Sequence, residues 1–148
     1  MIIMSFIKKI TLIIILSLIT CSAVSGEDIG DDSIKLKIND TVFDVRLENN
    51  SATEELIKIL EKEDITINAT DYGNFEKIGE LGFTLPTSDE NMNTKSGDIV
   101  LYQGNQISLF YNSHSWSYTK IGEIENINST QLKETLGNGD VTFILSLE

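Results

Sequence analysis

The fold is indicated by the stretch GDIVLYQGNQISLFYNSHSWSYTKIGEI, residues 97–124. Two runs rich in branched and aromatic residues, 98–102 and 107–111, lie on either side of the turn-forming sequence Gln103-Gly104-Asn105-Gln106. Apolar runs separated by a short segment that contains glycine predict a β-hairpin. A segment rich in hydroxyl and aromatic side chains then leads into a third predicted strand, Tyr118–Ile124, so this region consists of consecutive strands.

Strand patterns also precede and follow this region. Apolar residues alternate with charged residues over 34–38 and 43–47, with turn-forming residues between the two runs. Further strands are predicted from Ile65 onwards and within 75–83, and the last strand covers 141–147. Such alternation places every second side chain on one face, as in antiparallel strands with one buried face.

Two helices and one loop complete the pattern. Ser51-Ala52-Thr53-Glu54 is a capping box, and apolar residues at helical spacing follow it for about three turns. Asn128 or Ser129 caps a second, shorter helix, which Gly137 ends. The polar stretch from Thr87 to Ser96 is predicted as a long loop.

About eight short strands with two short helices predict a mainly β domain that covers residues 33–148. Closure of the sheet into an antiparallel barrel removes the exposed edges that such strands would otherwise present. We therefore expect a closed barrel capped by the two helices. Roughly 120 residues suffice to bury one core without disulfides, and the chain's single cysteine has no partner.

The first 25 residues have the pattern of a signal peptide. Lys8 and Lys9 precede an apolar run of about 10 residues, half of the roughly 20 that a membrane-spanning helix needs. Cleavage after Ala23-Val24-Ser25 would start the mature chain at Gly26. Alternatively, the sequence before Cys21 resembles a bacterial lipobox, which would make Cys21 the lipidated N-terminus. Both alternatives place the protein outside the cell or on its surface, with membrane contact only through the signal peptide or a lipid anchor.

Residues 26–32 form a short acidic stretch that we interpret as a tether. Two of the 11 basic residues lie in the signal segment and all 23 acidic ones lie after it, so the exported chain carries a net charge of 9 − 23 = −14. A negative charge of this size opposes binding to nucleic acid and to anionic lipid. We expect neither as a partner.

The order of these segments resembles the bacterial and archaeal cyclophilin-like domain family, most of whose members are functionally uncharacterised. The resemblance covers about residues 34–147 and implies a cyclophilin-type antiparallel barrel capped by two helices. It is carried by Asn50-Ser51-Ala52, Leu85-Pro86, Gly97-Asp98, Leu101-Tyr102, Phe110-Tyr111, the segment Tyr118–Ile124, and Leu136-Gly137-Asn138-Gly139-Asp140-Val141.

The wider cyclophilin fold suggests prolyl isomerisation, which true cyclophilins perform with an arginine in a Phe-His-Arg arrangement. This chain has no such arrangement, and its one arginine, Arg46, lies on the polar side of a predicted strand, where Asp44 or Glu48 could pair with it. Its one histidine, His114, has no cysteine partner for a zinc site. We therefore predict no catalytic residues, no cofactor and no metal site, with a weak isomerase or an undescribed enzyme as the alternative.

Aromatic side chains crowd into the stretch that decides the fold. Alternation cannot bury all of them, so they either close one end of the barrel by ordinary packing or line a shallow cleft. On the second interpretation the protein is a non-catalytic module that binds an unknown small molecule or peptide. We expect this cleft near one end of the barrel, and the candidate binding residues are Tyr102, Phe110, Tyr111, His114, Trp116 and Tyr118.

Overall fold

Nine strands and two helices make up residues 33–148, the part of the chain that the computed structural model describes. The predicted signal peptide with Cys21, and the acidic tether, lie outside the described residues. The strands are β1 (Ser33–Ile38), β2 (Thr41–Leu47), β3 (Ile65–Tyr72), β4 (Glu76–Glu80), β5 (Glu90–Asn93), β6 (Asp98–Tyr102), β7 (Gln106–Phe110), β8 (Ser115–Ile124) and β9 (Val141–Ser146), and the helices are α1 (Ser51–Leu60) and α2 (Ser129–Leu136).

Eight of the strands form a closed antiparallel barrel, as the sequence predicts. They follow one another in the order β2-β1-β9-β3-β4-β7-β6-β8, and β8 pairs with β2 to close the circle. The ninth strand, β5, pairs only with the first part of β8, from Ser115 to Tyr118. Closure pairs the edges that an open sheet of these strands would leave free.

The main core fills the barrel. Ile34, Leu36 and Ile38 are almost completely buried, and so are alternate residues of β9, which confirms the predicted alternation. Apolar side chains of both helices, among them Leu56 of α1 and Leu132 of α2, belong to the same core. The helices therefore cap the barrel by adding their apolar faces to its interior.

The barrel closes at Gly122, where β8 pairs with β2. Gly122 is opposite Leu47, and a Cβ atom on it would overlap the main-chain carbonyl oxygen of Arg46. Hydrogen bonds from Glu48 N to Ile121 O, at 2.8 Å, and from Glu125 N to Asp44 O, at 2.9 Å, flank this contact. The two backbones can approach this closely only because residue 122 has no side chain.

Three local predictions need correction. The N-cap of α1 is Asn50 rather than Ser51, because the Asn50 side chain accepts from Thr53 N at 3.0 Å and donates to Lys120 O at 2.8 Å. The predicted loop from Thr87 to Ser96 contains β5, and β8 begins at Ser115 rather than Tyr118. The strand β5 and the earlier start of β8 both result from the pairing of these two strands, which no local pattern indicates. Asn128 caps α2 as predicted.

Within residues 33–148, no helix is both long enough and apolar enough to cross a membrane.

Candidate functional site

A second apolar cluster lies on the outer face of the barrel. Successive side chains of a strand point to opposite faces. Ile99 and Leu101 of β6 enter the main core, so Val100 between them points outwards. We define the outer cluster as buried Val100, Phe110 and Tyr118, together with the partly buried side chains that pack on them: Phe75, Met92 and Tyr102.

The ribbon formed by β5 and the first part of β8 lies beside the outer cluster. Met92 is directly opposite Trp116 in this ribbon, and directly opposed residues of an antiparallel pair share a face. Met92 packs against the outer cluster, so this face of the ribbon turns towards it. The alternate positions are polar and occupy the other face: Asn91, Asn93, Ser115 and Ser117.

Aromatic rings connect across the outer cluster. The Phe75 ring stacks on the His114 imidazole, with centroids 4.0 Å apart, and lies parallel to Phe110 at 6.1 Å. Tyr118 meets Phe110 edge to face at 5.5 Å and Tyr102 at 6.0 Å. Stacked and edge-to-face pairs of this kind fix the orientation of rings as well as burying them.

A cleft of about 770 Å³ opens above this layer of rings. Tyr72 and Trp116 are 63% and 58% exposed there, although both are large and apolar. Among the described residues, the only other large apolar side chain so exposed is Val42 of β2. We call this space the aromatic cleft; its lining residues are Tyr72, Gly73, Phe75, Glu76, Ile78, Tyr102, Gln106, His114, Trp116 and Tyr118.

A tight turn presents Tyr72 and Phe75 to the aromatic cleft. Gly73 and Asn74 both have positive φ, +63° and +60°, and Phe75 N donates to Tyr72 O at 3.2 Å. Two consecutive residues of positive φ match the right-handed twist of the flanking strands in a hairpin. The Phe75 ring lies directly over Gly73, so a Cβ atom at position 73 would overlap it.

One charged side chain, Glu76 of β4, lies inside the cleft and is only 5% exposed. The Ser108 hydroxyl donates to one of its carboxylate oxygens at 2.6 Å. Burial raises the pKa of Glu76 above its ordinary value, although the Ser108 hydrogen bond and nearby His114 partly oppose that rise. Burial, together with the charge of Glu76, raises the pKa of Tyr118 to about 12.

The position of His114 is set by its main chain. Thr94, which is buried, donates from its main-chain nitrogen to His114 O at 2.8 Å and from its hydroxyl to the same oxygen at 2.9 Å. His114 N in turn donates to the Thr94 hydroxyl at 3.1 Å. These bonds hold the main chain of His114 in place, and its imidazole stacks on Phe75 near Glu76.

The structure brings five of the six candidate residues together: Tyr102, Phe110, His114, Trp116 and Tyr118 surround the aromatic cleft or form its floor. They meet on the outer face of the barrel and not at its end. Sequence reasoning missed Tyr72, Phe75 and Glu76. A glutamate next to Lys77 in a predicted strand resembles an ordinary solvated residue, so no local signal marks Glu76 as buried.

Tyr111, the sixth candidate, lies elsewhere. It follows Phe110 directly, so strand alternation turns it to the opposite side, where its hydroxyl donates to Asp71 at 2.5 Å. Burial and this bond raise the pKa of Tyr111 to about 12. Fully buried Lys77 pairs with Asp71 at 3.2 Å and donates to Gly139 O at 2.7 Å. Tyr111 therefore lines a separate polar pocket of about 390 Å³.

Arg46 also lies away from the aromatic cleft. Its guanidinium is exposed, as predicted for a surface strand residue, but pairs with Glu123 of β8 rather than with Asp44 or Glu48. Asp44 pairs instead with Lys35 across the first hairpin. Arg46 lines a polar surface depression that shares no residue with the aromatic cleft.

Within the described part of the chain, no group of three or more histidine, cysteine, aspartate or glutamate side chains is arranged to hold a metal ion.

Comparisons with known proteins agree with this architecture. The model of the family described as the cyclophilin-like family matches residues 36–148. The solution structure of a hypothetical protein from Archaeoglobus fulgidus superposes with a TM-score of 0.60 at 16% identity, covering 83% of this chain and 99% of that one. At that identity the likeness supports the fold alone. No curated protein matches the chain.

Proposed function

The chain belongs to the cyclophilin-like family, and on that premise we propose that it is an exported, non-catalytic binding protein whose aromatic cleft holds a small molecule or a peptide side chain. Family membership supports the barrel and leaves the activity open, because one fold carries many functions. The proposal therefore depends on the cleft itself.

The observation that carries the proposal is the exposure of Tyr72 and Trp116 in one cleft. Exposed apolar surface that is gathered in a single place is a mark of ligand or partner sites. Tyrosine and tryptophan provide large flat surfaces with one polar atom each, which suits recognition of a small guest. The cleft volume of about 770 Å³ lies within the range of small-molecule sites.

Prolyl isomerisation is not proposed. The guanidinium that a cyclophilin would need is available only from Arg46. That group is paired with Glu123, outside the aromatic cleft.

We expect Trp116→Ala to weaken binding of the neutral apolar dye N-phenyl-1-naphthylamine about tenfold or more, because central aromatic contacts dominate such sites. Since Trp116 is 58% exposed, its loss should change the free energy of unfolding by less than about 0.5 kcal/mol. Titration of dye fluorescence measures the affinity, and urea denaturation measures the stability.

Val42→Ala is the matched control, because Val42 is 57% exposed and lies on β2, outside the cleft. Dye affinity should be unchanged in this variant. Equal weakening in both variants, or no saturable dye binding by the unaltered protein, would remove the aromatic cleft as a binding site.

Export is proposed from residues 1–25, and the mature mass of the protein from its native host tests it. We expect loss of the first 20 to 25 residues, because a basic start, a short apolar run and small residues occur together. A chain that starts at Gly26 excludes the lipoprotein, and a diacylglyceryl mass on Cys21 establishes it. Retention of Met1 would contradict both alternatives.

A further inference from the structure

Glu76 is a buried carboxylate that forms no ion pair, although the imidazole of His114 lies near it in the same cleft. The Ser108 hydroxyl donates to one of its oxygens, and the carboxylate borders the cleft. None of the ion pairs among residues 33–148 includes Glu76. An ionised carboxylate removed from water is unfavourable unless a positive charge or several donors compensate it.

No lysine or arginine among residues 33–148 pairs with this carboxylate. Lys77 is adjacent in sequence, but alternation turns it to the opposite face, where it pairs with Asp71 and Gly139. The described lining of the cleft contains no lysine or arginine, and its one imidazole, that of His114, stacks on Phe75 and makes no ion pair with Glu76. Because no described side chain forms an ion pair with Glu76, a cationic molecule that enters the cleft can pair with it.

The rest of the lining suits an organic cation. The faces of aromatic rings attract cations, most strongly for tryptophan, and rings with a nearby carboxylate form the cages that bind quaternary ammonium groups. Trp116, Tyr72 and Phe75 line the cleft that contains Glu76. The net charge of the chain, −12 over its full length, also draws cations towards the surface.

We infer that the aromatic cleft selects organic ammonium ions, with the charged nitrogen against Glu76 and the alkyl groups against Trp116 and Tyr72. This inference rests on the proposed binding function and specifies the class of its ligand. The charge preference comes from Glu76, and the apolar contacts come from the rings.

Choline and 3,3-dimethylbutan-1-ol test the inference on the unaltered protein, because they have nearly the same shape and differ in the charge of one central atom. Emission of Trp116, the only tryptophan, reports binding of either compound. At about pH 8, well above the ordinary range of carboxyl groups, choline should bind about tenfold or more tightly than the alcohol. This comparison depends on no variant.

Glu76→Gln keeps the side-chain shape and an oxygen that can accept from Ser108, while it removes the charge. The affinity for choline should fall about tenfold or more, and the affinity for the alcohol should change less than about twofold. Glu80→Gln is the control, because Glu80 is an exposed residue on the same face of β4, outside the cleft lining. It should leave both affinities within about twofold.

Equal affinity for choline and the alcohol would overturn the ammonium inference and leave a neutral binding cleft in place. The same conclusion follows if choline loses as much affinity in Glu80→Gln as in Glu76→Gln. If the alcohol, choline and N-phenyl-1-naphthylamine all fail to bind, the proposed binding function fails together with the inference.

Discussion

Replacing Phe110 by alanine is expected to lower the free energy of unfolding by about 3 to 5 kcal/mol, the range for emptying a buried aromatic site. Phe110 has no exposed surface, and its ring packs between Phe75 and Tyr118. Alanine would leave a cavity in the outer cluster that the paired strands β4, β7 and β6 cannot collapse to fill. Urea denaturation followed by far-ultraviolet circular dichroism measures the loss.

The matched comparison is Trp116→Ala, which removes a still larger ring from the exposed rim of the same region. It should cost less than about 0.5 kcal/mol, so the two variants separate the buried floor of the cleft from its rim. A loss below about 1 kcal/mol for Phe110→Ala would mean that the outer cluster is not a packed second core. In that case the cleft would lack the rigid floor on which the binding proposal depends.

Gly122→Val should destabilise the protein by about 3 kcal/mol or more, the upper end for overpacking. Valine favours strands, so intrinsic propensity would not cause the loss. The added atoms would instead overlap the carbonyl oxygen of Arg46 and crowd Val45. Main chain cannot rotate away as a side chain can, so the pairing of β2 with β8 must open.

Urea denaturation gives the size of this effect, and amide hydrogen exchange gives its location. Exchange should accelerate first at Glu48 and Glu125, whose main-chain nitrogens donate across the contact between β2 and β8. Thr66→Val, at an exposed position of β3, is the control and should change the stability by less than about 0.5 kcal/mol. A comparable loss in both variants would show that closure does not depend on the missing side chain at position 122.

The aromatic cleft depends on the barrel for its geometry. Its floor belongs to strands that are paired on both sides, and its wall belongs to the ribbon of β5 and β8. Sites built on such elements keep their side chains in place better than sites on loops. His114 and Trp116 are two positions apart, but Glu76 comes from a strand almost 40 positions earlier, so the cleft exists only in the folded chain.

Much of the fold could be predicted from local patterns. The first hairpin, the hairpin of β6 and β7, the last strand and the end of α2 at Gly137 are confirmed, because alternation and turn residues act over a few neighbours. The same reasoning missed β5, since Glu90–Asn93 is polar and becomes a strand only through its pairing with β8. It also predicted the wrong cap for α1, because the contact of Asn50 with Lys120 joins residues far apart in sequence.

The sequence by itself determined which segments form the eight strands of the barrel and that an aromatic group could not be wholly buried in one core. Only the tertiary structure decided which side each residue faces in strands that are apolar throughout. Residues 99–102 are all apolar, Ile-Val-Leu-Tyr, so alternation alone cannot distinguish the inner face from the outer one. The register of β6 with β7 and β8 determines which of these residues face outwards. The same pairings turn Phe110 outwards and Tyr111 to the other side, and the pairing of β4 with β7 places Glu76 directly opposite Phe110, beneath the rings. A register is set by pairings between strands distant in sequence, and a shift of one residue would exchange the two faces.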